Sequence, residues 1–97
     1  MAHFLIEYAD TGDAQARETH RAAHIGYRKQ LGPRLALAGP LLDDDGKPSG
    51  SVVIVEAENR AEAERWARQD PYVLQGVLKL VSVRGYRVAA MNPPASA

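Results

Sequence analysis

Strand-forming and helix-forming segments alternate along this 97-residue chain in the order β-α-β-β-α-β, and that alternation restricts the fold more than any other feature. His3 to Tyr8 is a run of strand formers, with Phe4, Ile6 and Tyr8 on one face and His3, Leu5 and Glu7 on the other. Asp10-Thr11-Gly12-Asp13 is turn chemistry, and Asp13 is placed to cap a helix over Ala14 to Leu31 that Gly32-Pro33 stops. Leu35 to Leu42 reads as a strand that bends or bulges at Gly39-Pro40. A polar loop follows from Asp43 to Gly50, then Ser51 to Ala57, the most β-branched stretch of the chain. Asn59 and Glu62 have the spacing of a capping box for a second helix through Gln69, ended by Asp70-Pro71. Tyr72 to Gln75 has room for one more helical turn, and Val77 to Val88 closes the series as a strand.

This order is the split βαβ pattern, so the expected fold class is α+β: a ferredoxin-like domain over residues 1–90 with two helices on one face of a four-stranded antiparallel sheet. Residues 91–97 are expected to form a loose, flexible tail. The strands carry apolar residues on both faces. Ser51, Val53, Val55 and Ala57 alternate with Val52, Ile54 and Glu56, and Leu78 and Leu80 are expected opposite Val77, Val81 and Val83. Two helices cover one face only. The favoured cover for the other is a second copy, packed sheet against sheet as a homodimer, ahead of the reading that Val and Ile merely satisfy strand propensity there.

Composition then narrows the function. Twelve basic residues balance twelve acidic ones, which leaves no electrostatic footprint for nucleic acid. The absence of cysteine excludes disulfides, thiolate metal sites and a cysteine nucleophile. No apolar run approaches the length of a membrane span, and the N-terminus lacks a signal pattern, so a cytoplasmic protein is expected.

Histidine and carboxylate remain. On the first helix Ala16, His20, Ala23, Tyr27 and Leu31 share one stripe with His24 at its edge, and Arg17, Arg21 and Arg28 lie on the adjoining flank. The His20/His24 spacing lacks a third ligand, so no metal is expected. Asp70 falls on the stripe of Ala63, Trp66 and Ala67, at a helix C-terminus where burial and dipole both raise a carboxyl pKa unless a cation or donor is close. A His–Asp pair would suit general acid/base work, but spacing alone favours an Asp that hydrogen-bonds its own turn. Asp43-Asp44-Asp45 lacks the calcium-loop spacing and reads as a solvated hairpin loop.

Arg21-Ala22-Ala23-His24-Ile25, Ala38-Gly39-Pro40, Gly50-Ser51, Trp66 through Tyr72, Gly76-Val77 and Val81-Ser82-Val83 resemble the YCII-like family in order and spacing, from Phe4 to about Val88. The resemblance implies a dimeric α+β barrel. It implies that His24 and Asp70 pair in a cleft beside the sheet, and that Arg21, Gly39, Gly50 and Ser51 lie near it. The chain departs from the family pattern at Gly85-Tyr86, and His20 lies outside the motif, which leaves it a packing role. The expected chemistry is that of a cofactor-free lyase or isomerase, resembling dehydrochlorinases and lactone-processing relatives. His24 would be the acid/base and Asp70 its orienter, while Arg21 and Ser51 would hold a small anionic or carbonyl substrate. A non-catalytic dimer binding a metabolite or a protein through the same cleft is the alternative.

Overall fold

The computed structural model describes residues 1–92; within the expected tail, residues 93–97 lie outside the described residues. The elements are β1 (Ala2–Asp10), α1 (Ala14–Lys29), a 3-10 turn (Gly32–Arg34), β2 (Leu35–Leu42), β3 (Pro48–Ala57), α2 (Arg60–Arg68), α3 (Pro71–Leu74) and β4 (Leu78–Tyr86). The sheet is antiparallel with strand order β2-β3-β1-β4, so the split βαβ reading holds. Among the described residues no helix is long and apolar enough to cross a membrane.

Local chemistry sets the boundaries. Asp13 caps α1 by accepting from the Ala16 N–H at 2.9 Å. The helix stops at Lys29, two residues before Leu31, and Gly32 (φ +57°) turns the chain into the 3-10 segment. Asn59 caps α2 through the Glu62 N–H at 2.9 Å. The expected capping box is only half formed, because the Glu62 carboxylate accepts from Arg34 at 2.6 Å and from the Glu58 N–H at 3.4 Å rather than from Asn59. The Asp43 carboxylate accepts from the Asp45 and Lys47 N–H groups, so this aspartate folds its own hairpin loop.

The core lies between the helices and one face of the sheet. Ile6 pairs with Val53 on one side and Val83 on the other, and Phe4 pairs with Val55; all are buried. Ala63 and Ala67 are the buried residues of α2, and their small side chains let its backbone settle close to the strands. Tyr27 of α1 stacks on Trp66 of α2 with ring centroids 5.5 Å apart and donates its hydroxyl to the Trp66 carbonyl at 2.7 Å.

Two expectations about the strands are corrected. β2 does not bulge at Gly39-Pro40, which pair in register with Val52 and Ser51; its irregularities fall at Leu35/Leu37 and Leu41/Leu42. In β4 the register slips between Glu7 and Tyr8, whose partners are Ser82 and Leu80, so Val81 is the extra residue. That insertion returns Val83 to the face of Leu78 and Leu80, where strict alternation would oppose them. The other face carries Leu5, Val52 and Ile54 near its middle. His3–Glu56 (3.5 Å) and Glu7–Arg84 (3.7 Å) ion pairs flank them.

Gly50 is buried where β3 passes β1, and a Cβ there would fall inside the contact radius of the Tyr8 carbonyl oxygen. Gly39, one strand over, faces open space. Gly50→Ala is therefore expected to cost about 1–3 kcal/mol by overpacking, and Gly39→Ala to stay within about 0.5 kcal/mol of wild type, both read from urea unfolding. Equal midpoints for the two variants would remove the steric argument.

Candidate active site

The face that α1 turns inward is rotated from the expected stripe toward its basic flank. Ala23 is exposed, while Arg17, His24 and Arg28 are partly buried and line a cleft of about 360 Å³. Across the cleft, β2 and β3 supply Gly39, Pro40, Gly50 and Ser51. Of the residues singled out in the sequence, His24, Gly39, Gly50 and Ser51 line this cleft, and Asp70 lies directly behind His24. Arg21 does not come with them: it is exposed, and the arginines at the cleft are Arg17 and Arg28.

Asp70 is fully buried, and its carboxylate is bonded on both oxygens. Its Oδ1 accepts from His24 Nδ1 at 2.8 Å and from the Tyr72 N–H at 2.9 Å; its Oδ2 accepts from Arg28 Nε at 3.0 Å. The two sequence readings of this residue are thus one structure, since the Asp that caps its own turn also holds the histidine. It serves as N-cap of α3, so the nearest helix end presents N–H groups and not the carbonyls anticipated from α2. Burial alone would raise the Asp70 carboxyl. The hydrogen bonds from His24 and Tyr72, with the charges of His24 and Arg28, outweigh it and hold the group below the ordinary aspartate value.

An ionised carboxylate only accepts hydrogen bonds, so Nδ1 of His24 carries the proton toward Asp70. Nε2 then holds the lone pair of the neutral ring, and it makes no hydrogen bond among the described residues. The ring is also clamped from the side. Tyr72 stacks on it with centroids 3.8 Å apart and planes within 6°, and the Tyr72 hydroxyl donates to the Arg17 carbonyl at 3.0 Å. Arg17 lies over the Tyr72 ring, 5.4 Å from its centroid, and pairs with Asp10. Sequence reasoning passed over Tyr72 and Arg28 as site residues. The available signal was spacing, since Arg28 follows His24 by one helical turn and Tyr72 sits on the same short turn as Asp70.

The folded-state carboxyl of Asp70 is depressed, so its contribution to stability is present above the unfolded-state value near 4 and is lost as pH falls through the folded value. Asp70→Ala is expected to cost about 3–5 kcal/mol at neutral pH, because it leaves Arg28 buried without its counter-ion. The gap to wild type should narrow in urea titrations carried down toward about pH 3. A pH-independent gap would mean that the loss comes from packing and not from charge.

With this geometry established, the relatives can be placed beside it. The family model of the YCII-related domain matches residues 1–87. The chain is 36% identical over 93 residues to Protein YciI of Escherichia coli O6:H1, covering 87% of this chain and 95% of that protein. It is 43% identical over 75 residues to an uncharacterized protein of Haemophilus influenzae, covering 69% and 76% of the two chains. Among solved structures it is similar to 5-chloro-2-hydroxyhydroquinone dehydrochlorinase from Burkholderia phenoliruptrix AC1100 in complex with 2,5-dihydroxybenzoquinone. That likeness has a TM-score of 0.69 at 31% identity and covers 88% of this chain and 91% of the other. Sequence, fold and length agree: the chain belongs to the YCII-related family.

Proposed function

We propose that this protein is a cofactor-independent acid/base enzyme that acts as a lyase or isomerase on a small anionic or carbonyl-bearing substrate. The observation that carries the reading is the 2.8 Å bond from His24 Nδ1 to a buried, ionised Asp70, with His24 at the cleft wall. The bond fixes one tautomer and leaves the Nε2 lone pair of the neutral ring as a general base. Asp70 stabilises the imidazolium formed when Nε2 takes a proton, and Arg28 holds the other carboxylate oxygen so that Asp70 cannot swing away. The likeness to a dehydrochlorinase fits this chemistry. In such an elimination Nε2 removes a proton, its electron pair forms the new double bond, and chloride departs with the carbon–chlorine pair. No net oxidation occurs, so the residues at the cleft can run the step without a redox group.

The working unit is read as a homodimer closed through the open sheet face. Leu37, Leu41, Val81 and Tyr86 are large apolar side chains left exposed on the strands, and helices shield only the opposite face. A sedimentation profile showing one species of monomer mass at micromolar concentration would defeat this.

His24→Gln is expected to reduce chloride release from chlorinated hydroquinones by roughly 10²–10⁴-fold while leaving the far-ultraviolet circular dichroism unchanged. Asp70→Asn should fall by a similar factor, since it no longer offers two anionic oxygens. A His24→Gln variant that turns over at the wild-type rate would end the acid/base reading.

A further inference from the structure

The hydrogen bond to Asp70 fixes one atom of the His24 ring and leaves its plane loosely held. An imidazole turns about a single sp³–sp² bond whose torsional well is broad, so Nδ1 can keep its partner while Nε2, across the ring, rocks in the cleft. Tyr72 meets both members of the pair. Its N–H donates at 2.9 Å to Asp70 Oδ1, the oxygen that also accepts from His24, and its ring lies on the imidazole. The phenol is tied down in turn, because its hydroxyl donates at 3.0 Å to the carbonyl of Arg17, about two helical turns before His24 on the same helix. Tyr72 is buried, yet its edge reaches the cleft beside His24.

The stack is closer than two neutral rings favour. Neutral aromatics prefer offset or edge-on pairs with centroids about 4.5–7 Å apart, because the negative faces of their π systems repel in a sandwich. Here the centroids are 3.8 Å apart and the planes lie within 6°. That geometry suits a flat cation resting on a phenol face. His24 becomes such a cation when Nε2 takes a proton, so the contact with Tyr72 strengthens as charge develops on the imidazole. An interaction that grows in this way speeds a step, where one of constant strength only tightens binding. The other charged groups around the imidazole are paired: Arg28 with Asp70, and Arg17, whose guanidinium carbon is 5.4 Å from the Tyr72 centroid, with Asp10. Neither cation faces the imidazolium without its counter-ion.

We propose that Tyr72 is a positioning residue of the His24–Asp70 pair, whose stacked ring holds the imidazole in the one plane that keeps Nε2 on line with the proton it removes and steadies the imidazolium that forms. The proposal deepens the acid/base reading and rests on it for the chemical step. His24 moves the proton, and Tyr72 acts through His24. A displacement of about 1 Å at a reacting atom can cost on the order of 10²-fold in rate, so a ring that rocks is a slow base even with its hydrogen bond to Asp70 intact. Three parts of Tyr72 then have separate tasks: the N–H holds Asp70, the ring holds His24, and the hydroxyl fastens α3 to α1.

The test pairs steady-state chloride release from chlorinated hydroquinones with proton NMR of the His24 ring, in wild type, Tyr72→Phe and Tyr72→Leu. Resonances missing from His24→Gln identify the ring. Wild type should show a downfield Nδ1–H resonance protected from exchange, and its carbon-bound ring protons should be displaced upfield by the phenol face. Tyr72→Leu keeps the backbone N–H to Asp70 and removes the stack. It should lose the Nδ1–H resonance to exchange with water, and lose roughly 10- to 100-fold in kcat with KM within about threefold. Tyr72→Phe keeps the ring and loses the hydroxyl, so it should lower the urea midpoint yet keep the resonance and hold kcat within about threefold of wild type. A Tyr72→Leu protein that keeps wild-type kcat, or an equally sharp Nδ1–H resonance, would overturn the positioning role. A raised KM with unchanged kcat would overturn it by making Tyr72 a substrate contact, and equal losses in both variants would assign the effect to the hydroxyl. Undisplaced His24 ring protons in wild type would remove the stack itself, whether or not Tyr72→Leu folds. If wild type releases no chloride, the acid/base reading on this substrate falls, and the two NMR readings still decide for or against the stack.

Discussion

A single carboxylate in the dry interior has to be neutralised from several directions at once, and the arrangement of α1, α3 and the strands around Asp70 follows from that requirement. The carboxylate receives a backbone N–H from its own turn, an imidazole from the middle of α1 and a guanidinium one helical turn further on. None of these alone offsets the cost of burying the charge. Together they fix the rotation of α1 about its axis, which is why Arg28 faces inward although a wheel based on apolar residues places it on the flank. Tyr72 then has one place to go, flat against the His24 ring with its hydroxyl on the α1 backbone.

Much of the fold was legible in the residues. Turn chemistry at Asp10–Asp13 and at Gly32-Pro33 bounded α1 within two residues, and alternation in β1 assigned its two faces correctly. What was hidden depended on partners distant in sequence. The slip that makes Val81 an extra residue is a property of β1 and β4 as a pair, so no reading of β4 alone reveals it. Glu62 has the spacing to reach back to Asn59, but Arg34 of the 3-10 turn, held by the Glu56 carbonyl, offers a charged partner at 2.6 Å and wins.

The site was legible in a different way. Spacing alone left Asp70 as a local turn residue, and only the resemblance brought it to His24; the structure contains both roles in one oxygen atom. The same resemblance pointed to Arg21, because a motif written along the chain does not say which of several helical arginines faces inward. Burial decides that, and burial is set by the sheet. The neutral composition has a local counterpart as well. Among the described residues the cations of the cleft are each held by an acid, Arg17 by Asp10 and Arg28 by Asp70, so the site is polar without being a strongly charged patch.

Both rims of the sheet are interrupted. β2, at one rim, carries Pro40, which has no N–H to offer an incoming strand, and β4, at the other, is broken by the bulge at Val81. Neither rim presents an unbroken ladder, so the route to edge-to-edge pairing and fibrous aggregation is blunted at both ends of the sheet.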